Sequence, residues 1–552
     1  MPPTPPTSTA TNDLPTVGLL VGWASADITP DQPVMLVGQF YARVSEGVRD
    51  PIGATAMAFE SRRDGATPPL SATAPLSAAE SGAAGVLVTC DLVSIPDGFR
   101  DMIREHVAGE VPELDPQLVL ISATHTHTGP NVRAPESNDA RPTLAGLPAD
   151  AGIELDVMDL EAYAAFAAER VAGAIVRAWR SRGPAGMGFG LGQASVGYNR
   201  RMCFEDGQTR MYGNPNDPQF SHIEAGSDTS INCLFTWDRA ERLTGVIVNL
   251  ACPSQVSEHE FRVSADFWHE TRQELRARLG NDVFILPQVS PAGDVTPARP
   301  TTMVDFRAQE RMWRLMGMDQ RRDIGQRIAG AVADVLPYAR REVDWDPPVA
   351  HRVDEIELPM RKLSKADVDE ALAEGESFVQ QYEQLKRQLD EQPELRQQPR
   401  WYLKISQAYR RMHWFQGVAK RYERQHQNPK LSVEVHVIRL GDVAIASNPF
   451  EYYLDFGLQI KARSKAVQTL LVQLAGRGTY LPTARAAAGA SYGAVPASTP
   501  VGPEGGKELV NWSVDAINAL FDGGEARKNP AAPAPSALRA PHQPVVSEPG
   551  PS

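Results

Sequence analysis

Short β-branched and aliphatic runs alternate with longer stretches of helical spacing along this chain, and that alternation restricts it to an α/β architecture. The runs at 86–89, 118–121, 245–248, 283–286, 443–446 and 469–472 predict strands. The patterns at 159–180, 265–279, 305–336 and 507–521 predict helices. Several runs are apolar on both faces, so layers should cover each side, and polar motifs stand just beyond their carboxyl ends, where open α/β sheets bind ligands. The expected fold is a set of layered mixed β-sheets flanked by helices.

One segment breaks the rhythm. Residues 364–427 are dense in Gln, Glu, Lys and Arg, with Val368, Leu372, Phe378, Tyr382 and Leu385 at helical spacing and a break at Pro393 and Pro399. This reads as a helical hairpin inserted into an α/β body spanning 16–523. A solvated structural arm is one reading of it; a lid, or an arm joining two copies into a homo-oligomer, are the others. Residues 1–15 and 524–552 are too poor in large apolar groups to offset their ordering entropy and read as tails, while 65–85 reads as a surface loop.

The 552 residues, 42% hydrophobic and 22% charged, are enough for one large core or two moderate ones. A net charge of -13 disfavours nucleic acid and anionic membranes as partners. Four cysteines with no C-x-x-C pair form neither a disulfide framework nor a thiolate zinc site. The first residues lack a secretory pattern, no apolar run approaches the roughly 18 to 20 residues of a membrane span, and no amphipathic anchor stands out. A cytoplasmic protein without integral membrane association, acting on a small molecule, is expected.

The run ending at Ser122 leads into Ala123-Thr124-His125-Thr126-His127-Thr128-Gly129-Pro130. In an extended segment alternate side chains share a face, so His125 and His127 are expected to point at one site, with Gly129 and Pro130 ending the strand. Neutral imidazole is a good zinc ligand and the neighbouring hydroxyls suit supporting hydrogen bonds; two satisfied polar histidines at a strand end are the plainer reading. Other polar stretches follow the remaining strands: Cys252-Pro253-Ser254-Gln255-Val256-Ser257-Glu258-His259, Pro291-Ala292-Gly293-Asp294-Val295-Thr296-Pro297, Asn448-Pro449-Phe450-Glu451 and Gly478-Thr479-Tyr480. Taken singly, Glu451 suits a helix first turn and Tyr480 a packed aromatic.

In their order these segments resemble the neutral ceramidase family, zinc amidases that cleave the amide of N-acyl sphingosine. The resemblance runs over most of residues 17–522. It begins with Val21-Gly22-Trp23-Ala24-Ser25-Ala26-Asp27-Ile28-Thr29-Pro30, continues through Cys90-Asp91-Leu92, and is most specific at Ser122 to Pro130, close to the family's S-A-T-H-T-H-S-G-P. It implies a single divalent ion, Zn2+, held by His125, Glu451 and Tyr480. It further implies His127 as a substrate-contacting histidine, Tyr492 as a second active-site tyrosine, Thr296 where the family has a serine, and Arg200 or Arg201 as an active-site arginine. The family's second histidine ligand aligns with Pro253, which has no metal-binding side chain. His259 is the first candidate to replace it and His222 the second, whereas His269 falls in a helical pattern. The larger members' secretory signal and C-terminal β-sandwich have no counterpart in this chain, which argues against a membrane lipid as substrate.

An ion with an open position activates water and polarises a carbonyl, which suffices for hydrolysis of an amide or related bond in a soluble polar molecule. A hydrolase or lyase acting on a glycosidic or other C-O bond is the alternative, and a binding protein that has lost the metal is a third. The glycine-rich 188–192 stretch does not open a helix after a strand, so no dinucleotide loop is read there.

Overall fold

The computed structural model describes residues 18–62, 84–132, 155–299 and 304–522. Both expected tails, and the expected 65–85 loop up to residue 83, lie outside the described residues. An eight-stranded sheet runs in the order Phe284–Val289, Leu243–Leu250, Ser230–Asp238, Gly183–Gln193, Gly18–Asp27, Gly53–Arg62, Ala84–Cys90, Val119–Ala123. A four-stranded sheet runs in the order Val349–Pro359, Lys430–Leu440, Val443–Ser447, Gln468–Val472. Both are mixed, as expected. The α-helices are α1 (Asp97–Glu110), α2 (Leu160–Arg180), α3 (Phe267–Leu279), α4 (Phe306–Met316), α5 (Gln320–Ala339), α6 (Lys365–Glu391), α7 (Tyr402–Arg424), α8 (Leu454–Arg463), α9 (Ala484–Ala488) and α10 (Pro503–Phe521).

The strand pattern explains the layers. Alternate residues point to opposite faces, so Leu19, Val21, Trp23, Met57, Phe59, Leu234, Ile247 and Leu286 of the large sheet meet Ile438, Leu440, Val443, Ile445 and Leu470 of the small one in a shared apolar layer. Ala54, Ala56, Val86, Val88 and Ile121 face the other way, onto α1 and α2. Val246, Val248 and Ile285 face α3 and α5. Ala444 and Ala446 of the small sheet face α10. The result is helix, sheet, sheet, helix.

Within these two sheets three strand pairs are parallel: Leu243–Leu250 with Phe284–Val289, Ala84–Cys90 with Val119–Ala123, and Val443–Ser447 with Gln468–Val472. Parallel neighbours end on the same edge, so the polar motifs that follow them gather there. The glycines at 188–192 serve packing instead. They lie inside the strand Gly183–Gln193, where a Cβ at Gly188 would come within 2.7 Å of the Ala339 carbonyl and one at Gly192 within 2.8 Å of the Ala331 carbonyl, both on α5.

One expectation changes. The helix pattern at 305–336 splits at Gly317, whose φ of +63° ends α4, and the Asp319 side chain caps α5 by accepting from the Arg322 amide. α4 is also amphipathic: no residue on it is fully buried, and Met312, Leu315 and Met316 are exposed. No helix among the described residues is long and apolar enough to cross a membrane.

The 364–427 segment is a helical hairpin, α6 and α7, extending the turn between the antiparallel strands Val349–Pro359 and Lys430–Leu440. A Ser364–Asp367 capping box starts it. It is docked on the body: Leu389, Tyr402 and Ile405 pack with Met35 and Ala42, the Ala42 amide donates to the Ser406 hydroxyl and the Val44 amide to the Tyr402 hydroxyl.

Arg321 of α5 pins the strip leading to α3. Its guanidinium pairs with Asp50 at 2.7 Å and Glu270 at 2.9 Å, and donates to the Ser264 hydroxyl at 3.0 Å and the Asp266 carbonyl at 2.9 Å. Arg321→Met would strand Asp50 as a buried charge, and chemical denaturation should read a loss of about 3–5 kcal/mol.

Candidate functional site

The strand Val119–Ala123 ends two residues before His125, which sits in the left-handed region at φ +62°. A branched side chain pays strain there, a feature concentrated at functional sites. The expected mechanism, alternate residues of an extended strand, is therefore corrected: a left-handed turn brings His125 and His127 together. Their Nε2 atoms lie 3.3 Å apart. The His125 Nδ1 is 2.7 Å from the Val93 carbonyl, an acceptor only, so Nδ1 carries the proton and the Nε2 lone pair is free. That Nε2 also lies 3.3 Å from the Glu451 carboxylate.

His127 is held from three sides. Gly38, at φ +102°, lies flat against its ring, and a Cβ there would come within 2.4 Å of it. The Gln255 amide nitrogen is 2.9 Å from its Nε2, and the Glu258 carboxylate is 3.1 Å from its Nδ1, a charge contact outside hydrogen-bond alignment. Below it, the Thr126 and Thr128 hydroxyls both donate to the Ser264 carbonyl.

Glu451 and Tyr480 face each other across a short parallel ladder between Glu451–Tyr452 and Tyr480–Leu481. The Tyr480 hydroxyl bonds the Glu451 carboxylate and accepts from Arg200 at 3.1 Å. Arg200 donates as well to the Tyr212 hydroxyl at 2.5 Å and to the Gly293 carbonyl at 2.8 Å. Gly293 has to be glycine, because a Cβ would lie 2.2 Å from the Glu451 carbonyl. Asp294 then joins the pieces: it accepts from the Asn199 side chain and the Leu454 amide, each at 2.8 Å. Burial pushes its carboxyl up to about 6.

Burial also sets the other protonation states. It drives His127 down to about 4, so this ring is neutral at pH 7, and it raises Tyr480 well above the ordinary phenol range and Tyr492 to about 12. Burial works against ionising Glu451 and Glu258, yet both are held below the usual carboxylate range, Glu451 by His125 and Arg200, Glu258 by His127 and Arg299. Arg200 is buried too, and its contacts to Tyr212, Tyr480 and Glu451 keep it charged.

Of the sequence candidates, His125, His127, Glu451, Tyr480 and Arg200 converge, and the Tyr492 ring joins at 5.4 Å from that of Tyr480. Thr296 lies on the strand Val295–Pro297, fully buried, with a hydroxyl that has no partner among the described residues. His259 is not brought to His125: its side chain is 67% exposed and lies between the Tyr41 hydroxyl and Glu258. Gln255 and Glu258 are the residues of the 252–260 loop that face the histidines. His222 is exposed on the strand Phe220–Ile223. Arg201 is buried against Glu224 at 2.8 Å, whereas Arg200 is the arginine that reaches Tyr480. Gln255, Glu258, Tyr212 and Arg299 carried no signal in their residue types alone, although the first two fall within a stretch that marked a strand end.

Among the described residues no group of three or more His, Cys, Asp or Glu closes around one point. The donors stand in a row instead, with His125 in the middle, His127 on one side and Glu451 on the other. Their chemistry still fits a divalent ion. With the proton on His125 Nδ1, the His125 Nε2 lone pair and the Glu451 carboxylate face one another with no N–H between them, while the His127 Nε2 lies beside the Gln255 amide nitrogen; a cation next to His125 and Glu451 would relieve that opposition. Separations of 3.3 Å match the roughly 3.3 Å edge expected for donors about 2.0–2.1 Å from a tetrahedral zinc. Unpartnered polar atoms collect nearby, at Thr124, His127, Arg200 and Thr296.

No family model matches the chain, and no curated protein matches its sequence. Solved structures do match its fold. A ceramidase described as complexed with C2 superposes with a TM-score of 0.60 at 14% identity, covering 94% of this chain and 78% of that one. The neutral ceramidase from Pseudomonas aeruginosa gives 0.59 at 15% identity, covering 94% and 76%. The expected resemblance thus holds at the level of the fold, across nearly the whole chain, in a sequence that has diverged far.

Nitrogen-detected NMR of the imidazoles in metal-free protein should show His125 as the Nδ1–H tautomer and His127 neutral down to about pH 5. An Nε2–H tautomer at His125 would remove the lone pair from the site.

Proposed function

We propose that this chain, which has the ceramidase fold, is a divalent-metal-dependent hydrolase of an amide bond in a polar small molecule, with zinc the metal its donors favour. The observation that carries this reading is the row Glu451–His125–His127, in which the His125 lone pair is fixed by the Val93 carbonyl and aimed at two other donors. His125, Glu451 and Tyr480 would hold the ion, with His127 facing the same point; the exposed His259 takes no part. A bound ion of this kind supplies Lewis acidity and lowers the pKa of water towards neutrality.

The remaining work falls to the chain's own side chains. Arg200, charged, desolvated and rigidly held by Tyr212, Tyr480 and the Gly293 carbonyl, is placed to stabilise a developing oxyanion. His127, neutral at pH 7, can take a proton at Nε2 from attacking water and return it to the departing amine, with the Gln255 amide giving up its contact to that nitrogen and Glu258 beside Nδ1 stabilising the charged ring. The Tyr492 hydroxyl stays protonated and serves as a donor to substrate, and the unpartnered Thr296 hydroxyl is a second group free to position it. Glu258, Arg299 and the exposed His259 make the adjoining edge polar, which favours a hydrophilic substrate.

Purified protein should carry about one equivalent of zinc. His125→Ala and Glu451→Gln should lower metal affinity by about 100-fold or more while the fold is retained, and Arg200→Met should cut kcat on N-acyl amides by about 100-fold. Lack of stoichiometric divalent metal, or turnover of sugar substrates but of no amide, would overturn the reading.

A further inference from the structure

Consecutive arginines of α7 straddle the Gly38–Phe40 loop that lies against His127. Arg410 reaches the Gln39 carbonyl by a single long bond of 3.4 Å, and the Arg411 guanidinium lies 3.6 Å from the centre of the Phe40 ring. Arg410 is only 4% exposed, and its Nε has no partner. Neither arginine forms an ion pair with any carboxylate among the described residues. The charged neighbour of Arg410 is another cation, Arg43, and burial together with Arg43 pushes the Arg410 guanidinium down to about 9.

Arg43 shows what a structural buried arginine looks like here. It spends its donors on the carbonyls of Glu258, Glu260, Val37 and His127. Arg410 has nothing comparable. A buried guanidinium with one weak bond and a like charge beside it opposes folding, and such uncompensated charges collect where a ligand supplies the missing partner. Stacking on Phe40 accounts for Arg411, but Arg410 stacks on no aromatic ring among the described residues.

The surroundings lead back to the site. Phe40, Trp414 and Tyr492 touch pairwise at 5.4 to 5.8 Å, Arg411 borders all three, and Tyr492 in turn contacts Tyr480. The inserted hairpin thus contributes an aromatic and cationic wall one ring away from the Glu451–Tyr480 ladder. We propose that Arg410 and Arg411 form an oxyanion subsite that takes a carboxylate or phosphate carried by the substrate. This rests on the amide-hydrolase reading for the identity of the scissile bond, but the anion site itself stands on Arg410.

Binding tests separate the two ideas because they need no turnover. Calorimetric titration at constant ionic strength would use inorganic phosphate, N-acetylglycine, and its neutral counterpart N-acetylglycinamide, on the full chain. The expected result is that at least one anion binds and that N-acetylglycinamide does not; phosphate alone would identify a phosphorylated substrate, N-acetylglycine alone a carboxylated one. Arg410→Met should weaken the anion by about 30-fold or more, with an unchanged or raised Tm in the absence of ligand; Arg410→Lys should keep part of the affinity and Arg411→Gln should lose part. Should Arg410→Met fail to fold, the Arg410→Lys and Arg411→Gln pair carries the test. No anion preference in the parent protein, or a preference untouched by these variants, would overturn the subsite. Anion binding without amide cleavage would overturn only the amide reading.

Discussion

Two sheets share one apolar layer, and their relative position is set at the edge where the parallel strands end. The Asn249 side chain of the large sheet donates to the Leu471 carbonyl of the small one at 2.7 Å. Gln473, just past the last strand of the small sheet, donates its amide to the Val289 carbonyl at 2.9 Å, while its side-chain oxygen accepts from the Ala292 and Tyr452 amides. These bonds tie the segment at 291–296 to the segment at 449–453 through the one Gln473 side chain. Arg200 bonds the first segment and Glu451 belongs to the second. Without that registration the row of donors would not exist.

The site built on this seam combines opposite demands. His127 is buried enough to stay neutral, whereas Glu451 and Glu258 stay ionised through neighbouring cations and imidazoles. That combination favours a positive ion between the donors and disfavours an empty centre. The left-handed backbone at His125 and the glycine at 38 are local costs accepted to aim the two rings.

Much of this was legible in the sequence. Every expected strand is present, because β-branched runs of that length have few other fates, and the helical hairpin expected over 364–427 is there, its first helix capped by Ser364. His125, Glu451 and Tyr480 could be picked out because each follows an expected strand end and fits the resemblance to the ceramidase family, and Arg200, with Arg201 as its alternative, came from that resemblance alone. What was not legible depends on distance in the chain. The position aligned with a family ligand is Pro253, and nothing in sequence says that Gln255, rather than His259, turns inward; that choice follows from Ser254 bonding the Thr124 carbonyl and from Glu258 being drawn to Arg299. The split of α4 from α5 needed the left-handed Gly317, a glycine that helical periodicity alone reads through. The unpaired state of Arg410 is likewise a property of packing, since an arginine-rich helix normally reads as solvated.

The most direct test of the central claim is crystallography of zinc-loaded protein with anomalous data collected on both sides of the zinc absorption edge. A peak within bonding distance of His125 Nε2 and the Glu451 carboxylate, with Tyr480 beside it, is the result predicted. A peak bound elsewhere, or full zinc loading with no density between His125 and Glu451, would contradict the account.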